Sequence, residues 1–324
     1  MLVGLTCHPL EDIRSEIRPV IKRLASSHSE FGKAMADSLI RRLLTPGAPE
    51  GVPTHTSRVV REDLRDHLSH VTSETVQELL GSRSGPAQEL GGLLLPTHID
   101  PAELSVADIV KLANTPVVTV RRAAWSMFDS QVQRIREELA TAVRILDSKW
   151  DDSREFGFEF FEQRTQPTDL TPEVLISICD SVREDVQQFG RTMITQRFAK
   201  QHGPEYLVKL SEHPSTDLQL FASNFLAEYG ADDPQRIEKL TPYFVSILSR
   251  VNKSRVAKDR VLQFLTDEAI KSREAAETIS HVLARISATC AIGDRARTIE
   301  AMVQLHETYP DIELPIRLQP VEVR

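Results

Sequence analysis

Cysteine is scarce in this chain: three in 324 residues, Cys7, Cys179 and Cys290, far apart and without a Cys-x-x-Cys pair. An odd, scattered set excludes a disulfide framework and a thiolate zinc site, and it fits thiols buried as packing residues in a reducing compartment. Long apolar runs are missing as well. None exceeds three residues, as at Leu93–Leu95, far short of the about 20 that span a bilayer, and the amino terminus shows no basic start leading into an apolar core. Positive charge is in deficit, 39 Lys and Arg against 47 Asp and Glu for a net charge of -8. That balance argues against general affinity for nucleic acid or an anionic membrane and points to protein partners. The expectation is a cytoplasmic chain, and the 40% hydrophobic and 27% charged content is that of a folded one.

Sequence signatures of catalysis are missing in the same way. There is no Gly-x-Ser-x-Gly elbow and no His-Glu-x-x-His segment. Gly81-Ser82-Arg83-Ser84-Gly85 is glycine-rich but lacks the Gly-Lys-Ser/Thr ending of a phosphate loop, so it reads as a turn between two helices. His67 and His70, with Glu62, Asp63 and Asp66 nearby, have no further His or Cys at a partner spacing and read as a solvated helix face. His8 and His213 fall in equivalent turns, which favours a structural role. No catalytic residue, metal or cofactor is expected.

What the chain does contain is repetition. Apolar anchors at Leu5, Leu43, Leu79, Leu112, Ile145, Ile178, Leu210, Ile247 and Ile286 close one helical stretch and precede a second, with spacings of 33, 33, 33 and 32 residues between Leu79 and Leu210. A period of that size predicts stacked helix pairs. Second helices set in register from Ala87, Val120, Ser153, Val186 and Leu218 carry a long polar residue next: Gln88, Arg121, Arg154, Gln187, Gln219. Three and four residues in come Leu90-Gly91, Ala123-Ala124, Phe156-Gly157, Phe189-Gly190 and Phe221-Ala222, and seven and eight in come apolar pairs such as Met127-Phe128 and Phe160-Phe161. That spacing is one buried helical face. A glycine inside a helix costs about 0.5 to 1 kcal/mol relative to alanine, so Gly91, Gly157 and Gly190 at one register predict a close helix approach.

Start signals support the pairs. Thr171-Pro172, Gly203-Pro204 and Asp233-Pro234 place a cap-type residue before a proline suited to a first turn. In three turns a proline (Pro9, Pro116, Pro214) is followed three residues later by Asp12, Thr119 or Asp217, each expected to cap the second helix, and then by Ile13-Arg14, Val120-Arg121 or Leu218-Gln219. Thr45 to Ser57, with its prolines and glycines, is expected to be a non-helical loop, Pro96 to Pro101 a short joint, and Glu313 to Arg324 an extended tail.

The order Pro, Asp, apolar, Arg resembles the HEAT-repeat family of armadillo-like α-solenoids over nearly the whole chain, strongest from Leu79 to Tyr229. The resemblance implies an all-α, right-handed α-solenoid of about nine helix pairs over residues 1–312, and an inter-repeat ladder built from Asp12, Arg14, Arg121, Arg154 and Asp217. Gln at 88, 187 and 219 would leave that ladder partly neutral. Second helices line the concave face in this family, so Arg14, Arg18, Arg121, Arg122, Arg154, Glu155, Gln188, Arg255, Lys258 and Arg295 are the expected partner-binding residues. The function implied is a non-enzymatic scaffold or adaptor for a protein or peptide. Because Met1 starts almost inside the first helix, the chain is also expected to be the C-terminal part of a larger protein. Some HEAT-like proteins are DNA glycosylases with an aromatic residue and a carboxylate in a basic groove, which makes a nucleic-acid-binding role the alternative, centred on Trp150-Asp151-Asp152. The structural reading of those residues is that Asp152 or Ser153 caps the following helix.

Overall fold

The computed structural model describes residues 1–250, 255–289 and 292–317, with only the main chain of Lys200. Every element in them is helical, and they contain no strand. Contacts divide the chain into two compact units, Met1–Asp169 and Leu170–Arg324.

The first unit carries α1 (Leu2–Thr6), α2 (Glu11–Ser27), α3 (Ser29–Leu44), α4 (Val52–Asp63), α5 (Ser73–Gly81), α6 (Gly85–His98), α7 (Val106–Ala113), α8 (Val118–Ser130), α9 (Val132–Glu137), α10 (Leu139–Ala142) and α11 (Asp151–Gln163). Short 3-10 turns sit at Arg65–His67, Pro101–Glu103 and Val143–Asp147. Pairs form between neighbours in sequence: α1 with α2, α3 with α4, α5 with α6, α7 with α8, and the Val143–Asp147 turn with α11. Second helices then pack in chain order, α2 on α4, α4 on α6, α6 on α8 and α8 on α11. The second unit carries α12 (Pro172–Cys179), α13 (Glu184–Arg197), α14 (Gly203–Glu212), α15 (Thr216–Ser223), α16 (Leu226–Gly230), α17 (Pro234–Lys239), α18 (Thr241–Leu248), α19 (Arg255–Lys271), α20 (Arg273–Thr289) and α21 (Ile292–Thr308). Here α12, α14, α18 and α20 form one succession of contacts, and α15, α19 and α21 another.

The expected register is the buried face. Ala87, Leu90, Gly91, Leu94 and Leu95 are buried on α6, and Val120, Ala123, Ala124, Met127 and Phe128 on α8. Both helices begin two residues before the positions chosen from sequence. Phe128 meets Phe156 and Phe160 edge-on with ring centroids 5.9 and 5.5 Å apart, an aromatic seam between α8 and α11. The fifth of these second helices is split, since α15 stops at Ser223 and α16 starts at Leu226.

Glycines act where the helices approach. A Cβ on Gly157 would lie 2.7 Å from Leu146 Cδ2, and one on Gly190 2.7 Å from Cys179 Sγ. Gly92 was not singled out from sequence, yet its Cβ would fall 2.6 Å from the backbone nitrogen of Val120 in the next pair. Gly203 caps nothing: it opens α14, and a Cβ there would fall inside the ring of Tyr229. Thr171 and Asp233 do cap, accepting the amide hydrogens of Val174 and Arg236.

Three expectations are corrected. Residues 45–57 are not one loop, because α4 starts at Val52 with Pro53 in its first turn, where a missing N–H costs no helical bond. The connector ends instead at Gly51, whose φ of 77° is left-handed. Pro96 lies inside α6, which runs on to His98, so the joint is shorter than its prolines suggest. Asp12, Thr119 and Asp217 do not cap their helices: each sits two residues too late, after the N-cap residues Leu10, Val117 and Ser215. Of the tail, residues 318–324 lie outside the described residues, as does Cys290. Cys7 and Cys179 are free and buried. No described helix is long and apolar enough to cross a membrane.

Two outcomes test this packing. Gly92→Ala should cost about 1 to 3 kcal/mol through overpacking, despite the helix propensity it gains, because the obstacle is backbone that cannot rotate away. Gly91→Ala, which meets only the side chains of Leu79 and Leu80, should cost less, and urea midpoints order the two. Burial pushes the Cys179 thiol and the Tyr206 phenol each up to about 12, and raises Tyr243 too. An unfolded chain loses these protons near 9 for Cys and 10 for Tyr. Folded-state stability of the second unit should therefore hold below about pH 9 and decline above it, as the unfolded chain binds fewer protons; denaturant midpoints across that range measure it.

Candidate functional site

The residues singled out on the second helices turn first to their own turns. Between paired helices the chain presents carbonyl oxygens that no helix bond satisfies. In six turns one side chain reaches back to such an oxygen. Arg14 donates through one terminal nitrogen to His8 O and Pro9 O, both at 2.8 Å, and Arg121 likewise to Thr115 O and Pro116 O, both at 3.0 Å. Arg154 donates to Ser148 O at 2.9 Å. Gln88, Gln187 and Gln219 donate through Nε2 to Ser82 O, Ser181 O and His213 O at 2.8, 2.7 and 2.5 Å. Lys258 makes the equivalent bond to Arg250 O.

The residue whose carbonyl is held also holds the turn with its side chain. His8 Nδ1 accepts the Leu10 amide hydrogen and His213 Nδ1 that of Ser215. Ser82, Ser148 and Ser181 accept those of Ser84, Trp150 and Arg183 through Oγ. Short polar acceptors that bind the amide two residues on are turn builders. The sequence points to a structural role for His8 and His213 in these turns but the serines were missed, although the signal is legible there: a His or Ser six residues before the Arg or Gln.

Bonds between successive pairs come next. The other edge of the Arg121 guanidinium takes Asp152 of the following pair, Nε to Oδ1 at 3.0 Å and the second terminal nitrogen to Oδ2 at 2.5 Å, and lies 4.6 Å over the Trp150 ring. Asp152 is therefore a partner of Arg121 and caps nothing. Ser153 Oγ donates to Ala113 O at 2.6 Å and accepts from Trp125 Nε1, while Trp150 Nε1 donates to Asn114 O. Arg18 pairs with Glu62 and Asp63, both at 2.5 Å. In the second unit Lys258 pairs with Asp294, Arg297 with Asp259, and His213 with Asp180 at 3.0 Å.

This placement redraws the expected partner surface. Arg14, Arg121, Arg154 and Lys258 are buried, at 5, 6, 8 and 3% exposure. Each is committed through one nitrogen to backbone oxygens, so as a set they are not the open binding face expected from sequence. Arg18 is half-buried in its pairs with α4. Arg122 and Glu155 in the first unit, and Gln188, Arg255 and Arg295 in the second, are exposed. In the first unit the two are of opposite sign, and in the second they are one neutral and two positive side chains.

Elsewhere, His70 Nε2 meets Asp37 at 2.8 Å, and the His67 ring lies where a Cβ on Gly32 would fall. Among the described residues no three His, Cys, Asp or Glu side chains are gathered as a metal site. A concavity of about 620 Å³ in the second unit lies between Asn224, Val256, Arg260 and Asp267, and Arg260 there donates to Ser223 Oγ and Asn224 Oδ1. No protein-family model and no curated protein matches this chain.

The turn bond has a direct check at Arg121. Arg121→Gln can keep the bond to Thr115 O, as Gln does at three sister positions, and should cost about 1 kcal/mol for the lost pairing with Asp152. Arg121→Ala strands the turn carbonyls as well and should cost about 2 to 3 kcal/mol. Equal shifts in the urea midpoint would show that the turn bond contributes nothing.

Proposed function

We propose that this chain is a non-enzymatic scaffold or adaptor that holds a protein or peptide partner on the surface of a HEAT-like helical repeat array, a right-handed α-solenoid of about nine pairs. The observation that carries this reading is the recurrence of one construction, a side chain donating to the turn carbonyl six residues back, in pair after pair at the repeat spacing. Contacts that pass from each second helix to the next support it. Such stacking is quasi-one-dimensional, and its use in repeat proteins is an extended binding face.

The side chains available for that face are exposed ones. In the first unit they include Arg122 and Glu155 together with Leu10 and Val118, apolar residues at the turns with 61 and 40% exposure. In the second they include Gln188, Arg255, Arg295 and Val182, which is 97% exposed at a turn. Isolated apolar residues in a mixed-charge setting suit a protein contact, where the apolar groups supply affinity and the charges supply register. The nucleic-acid reading has less support, because its carboxylate, Asp152, is already paired with Arg121, the cation that lies over the Trp150 ring.

A photo-crosslinking residue placed at Val118 or Arg122 should trap a protein in cells, and one at Glu78 or Lys111 on first helices should not. Equal trapping at all four sites, or at none, would count against the reading. Binding of the full chain to duplex DNA should be negligible at physiological salt, and tight binding with a steep salt slope would favour the alternative.

A further inference from the structure

The first two pairs repeat the geometry of Arg121 and Asp152 with one member changed. Arg14 holds His8 O and Pro9 O as Arg121 holds Thr115 O and Pro116 O. On α11 the buried face is Ser153, Gly157, Phe160 and Phe161, and on α4 at the same spacing it is Val52, Thr56, Val59 and Val60. The residue before Ser153 is Asp152, the carboxylate of the fork. The residue before Val52 is Gly51.

Gly51 does stand at the outer edge of Arg14. Its Cβ position lies 3.2 Å from the second terminal nitrogen of Arg14, and beyond Gly51 and its chain neighbours no other atom comes within 4 Å of that point. Arg14 is 5% exposed, and its Nε, buried, has no hydrogen-bond partner. The corresponding two nitrogens of Arg121 are the ones that grip Asp152. Next to this edge His55 Nε2 is also buried without a partner. Burial above all, then the charges of Arg14, Arg18 and Arg58, lower the His55 pKa, with Glu11 opposing them. The second residue of α4 is a proline, so its first turn contributes few amide donors and the recognition falls to the side chains. A buried cationic donor without an acceptor is costly, which makes an oxyanion there worth more than one on an open surface.

We propose that the outer edge of Arg14 beside Gly51 is a receptor for a carboxylate supplied by another molecule, an Asp or Glu side chain of an acidic peptide segment. The incoming group takes the place in the fork that Asp152 takes on Arg121. Gly51 leaves the approach open, and the charge of Arg14 itself, with Arg58 on α4, favours the anion, whereas Arg18 is already paired with Glu62 and Asp63. The choice of a peptide as the source rests on the partner-binding reading, whereas the carboxylate site rests on the geometry of Arg14 alone.

Sister repeats supply the variant that separates binding from folding. Gln makes the turn bond at positions 88, 187 and 219, so Arg14→Gln should keep the first turn while removing the outer edge. The full chain is titrated with sodium acetate and, separately, sodium phosphate at constant ionic strength, reading the Arg14 Nε–H resonance, assigned by its loss in Arg14→Gln, and the Gly51 amide. Acetate should move both resonances of the native chain saturably. In Arg14→Gln the Gly51 response should weaken about tenfold or more, the loss of one charge-assisted bond. Gly51→Asp, which brings the carboxylate from within, should place the Arg14 resonance at its bound position before any ligand is added. No saturable response to acetate, a response to phosphate alone, or an unchanged response in Arg14→Gln would overturn the proposal. These outcomes are independent of crosslinking at Val118 and Arg122, so failure of the site and failure of the partner-binding reading are told apart.

Discussion

Six described turns of this protein present carbonyl oxygens that no helix bond satisfies and that a side chain of the following helix must reach. The donor has to come from the second helix, has to reach back six residues, and has to carry an N–H at the end of a long chain. Glutamate has the reach without the donor, and serine has a donor without the reach. Arginine, glutamine and, with a longer span, lysine meet both conditions, which explains why Arg14, Gln88, Arg121, Arg154, Gln187, Gln219 and Lys258 share one structural task despite their different charge. Charge is incidental to that task, since Gln at 88, 187 and 219 makes the same bond as Arg at 14, 121 and 154.

Charge matters on the other edge of the same side chain. A guanidinium that spends one terminal nitrogen on the turn still presents Nε and its second terminal nitrogen, a planar fork matched to a carboxylate. Glutamine has no such remainder. The repeats with Arg thus have a capacity for pairing that the repeats with Gln lack, and Asp152 uses that capacity in the case of Arg121. Most of the basic residues that stand out in the sequence are therefore internal fasteners.

Much of the fold was legible because burial repeats with the helix period. Gly157 and Gly190 stood out as small residues at one register, and the packing against Leu146 and Cys179 explains them. Gly92 escaped because its neighbour is backbone from the next pair, a contact that no pattern within one helix encodes. The caps were misplaced for a related reason: a short polar residue near a helix start can stand at the cap or two residues inside the helix, and Thr119 spends its hydroxyl on Glu89 O of the preceding pair. Proline content misled at residues 45–57, since Pro53 in a first turn is compatible with the helix it was expected to prevent. The candidate site was less legible still. Whether an arginine faces solvent or a turn depends on which layer covers it, and sequence spacing is the same in both cases.

Local departures from a repeat rule carry information that the rule does not. At Gly51 the connector between α3 and α4 turns through a left-handed conformation, and the residue that could carry a ladder carboxylate has no side chain. A packing demand does not account for this, because only the Arg14 nitrogen lies near the missing Cβ. Nor does turn geometry require glycine outright, since Asp and Asn tolerate the left-handed region better than other residues with side chains. A sequence selected for stability alone would gain by pairing the buried Arg14 edge internally. Leaving it unpaired, in a chain that satisfies the equivalent edge of Arg121, is the kind of local inconsistency that folded proteins sustain at sites of function.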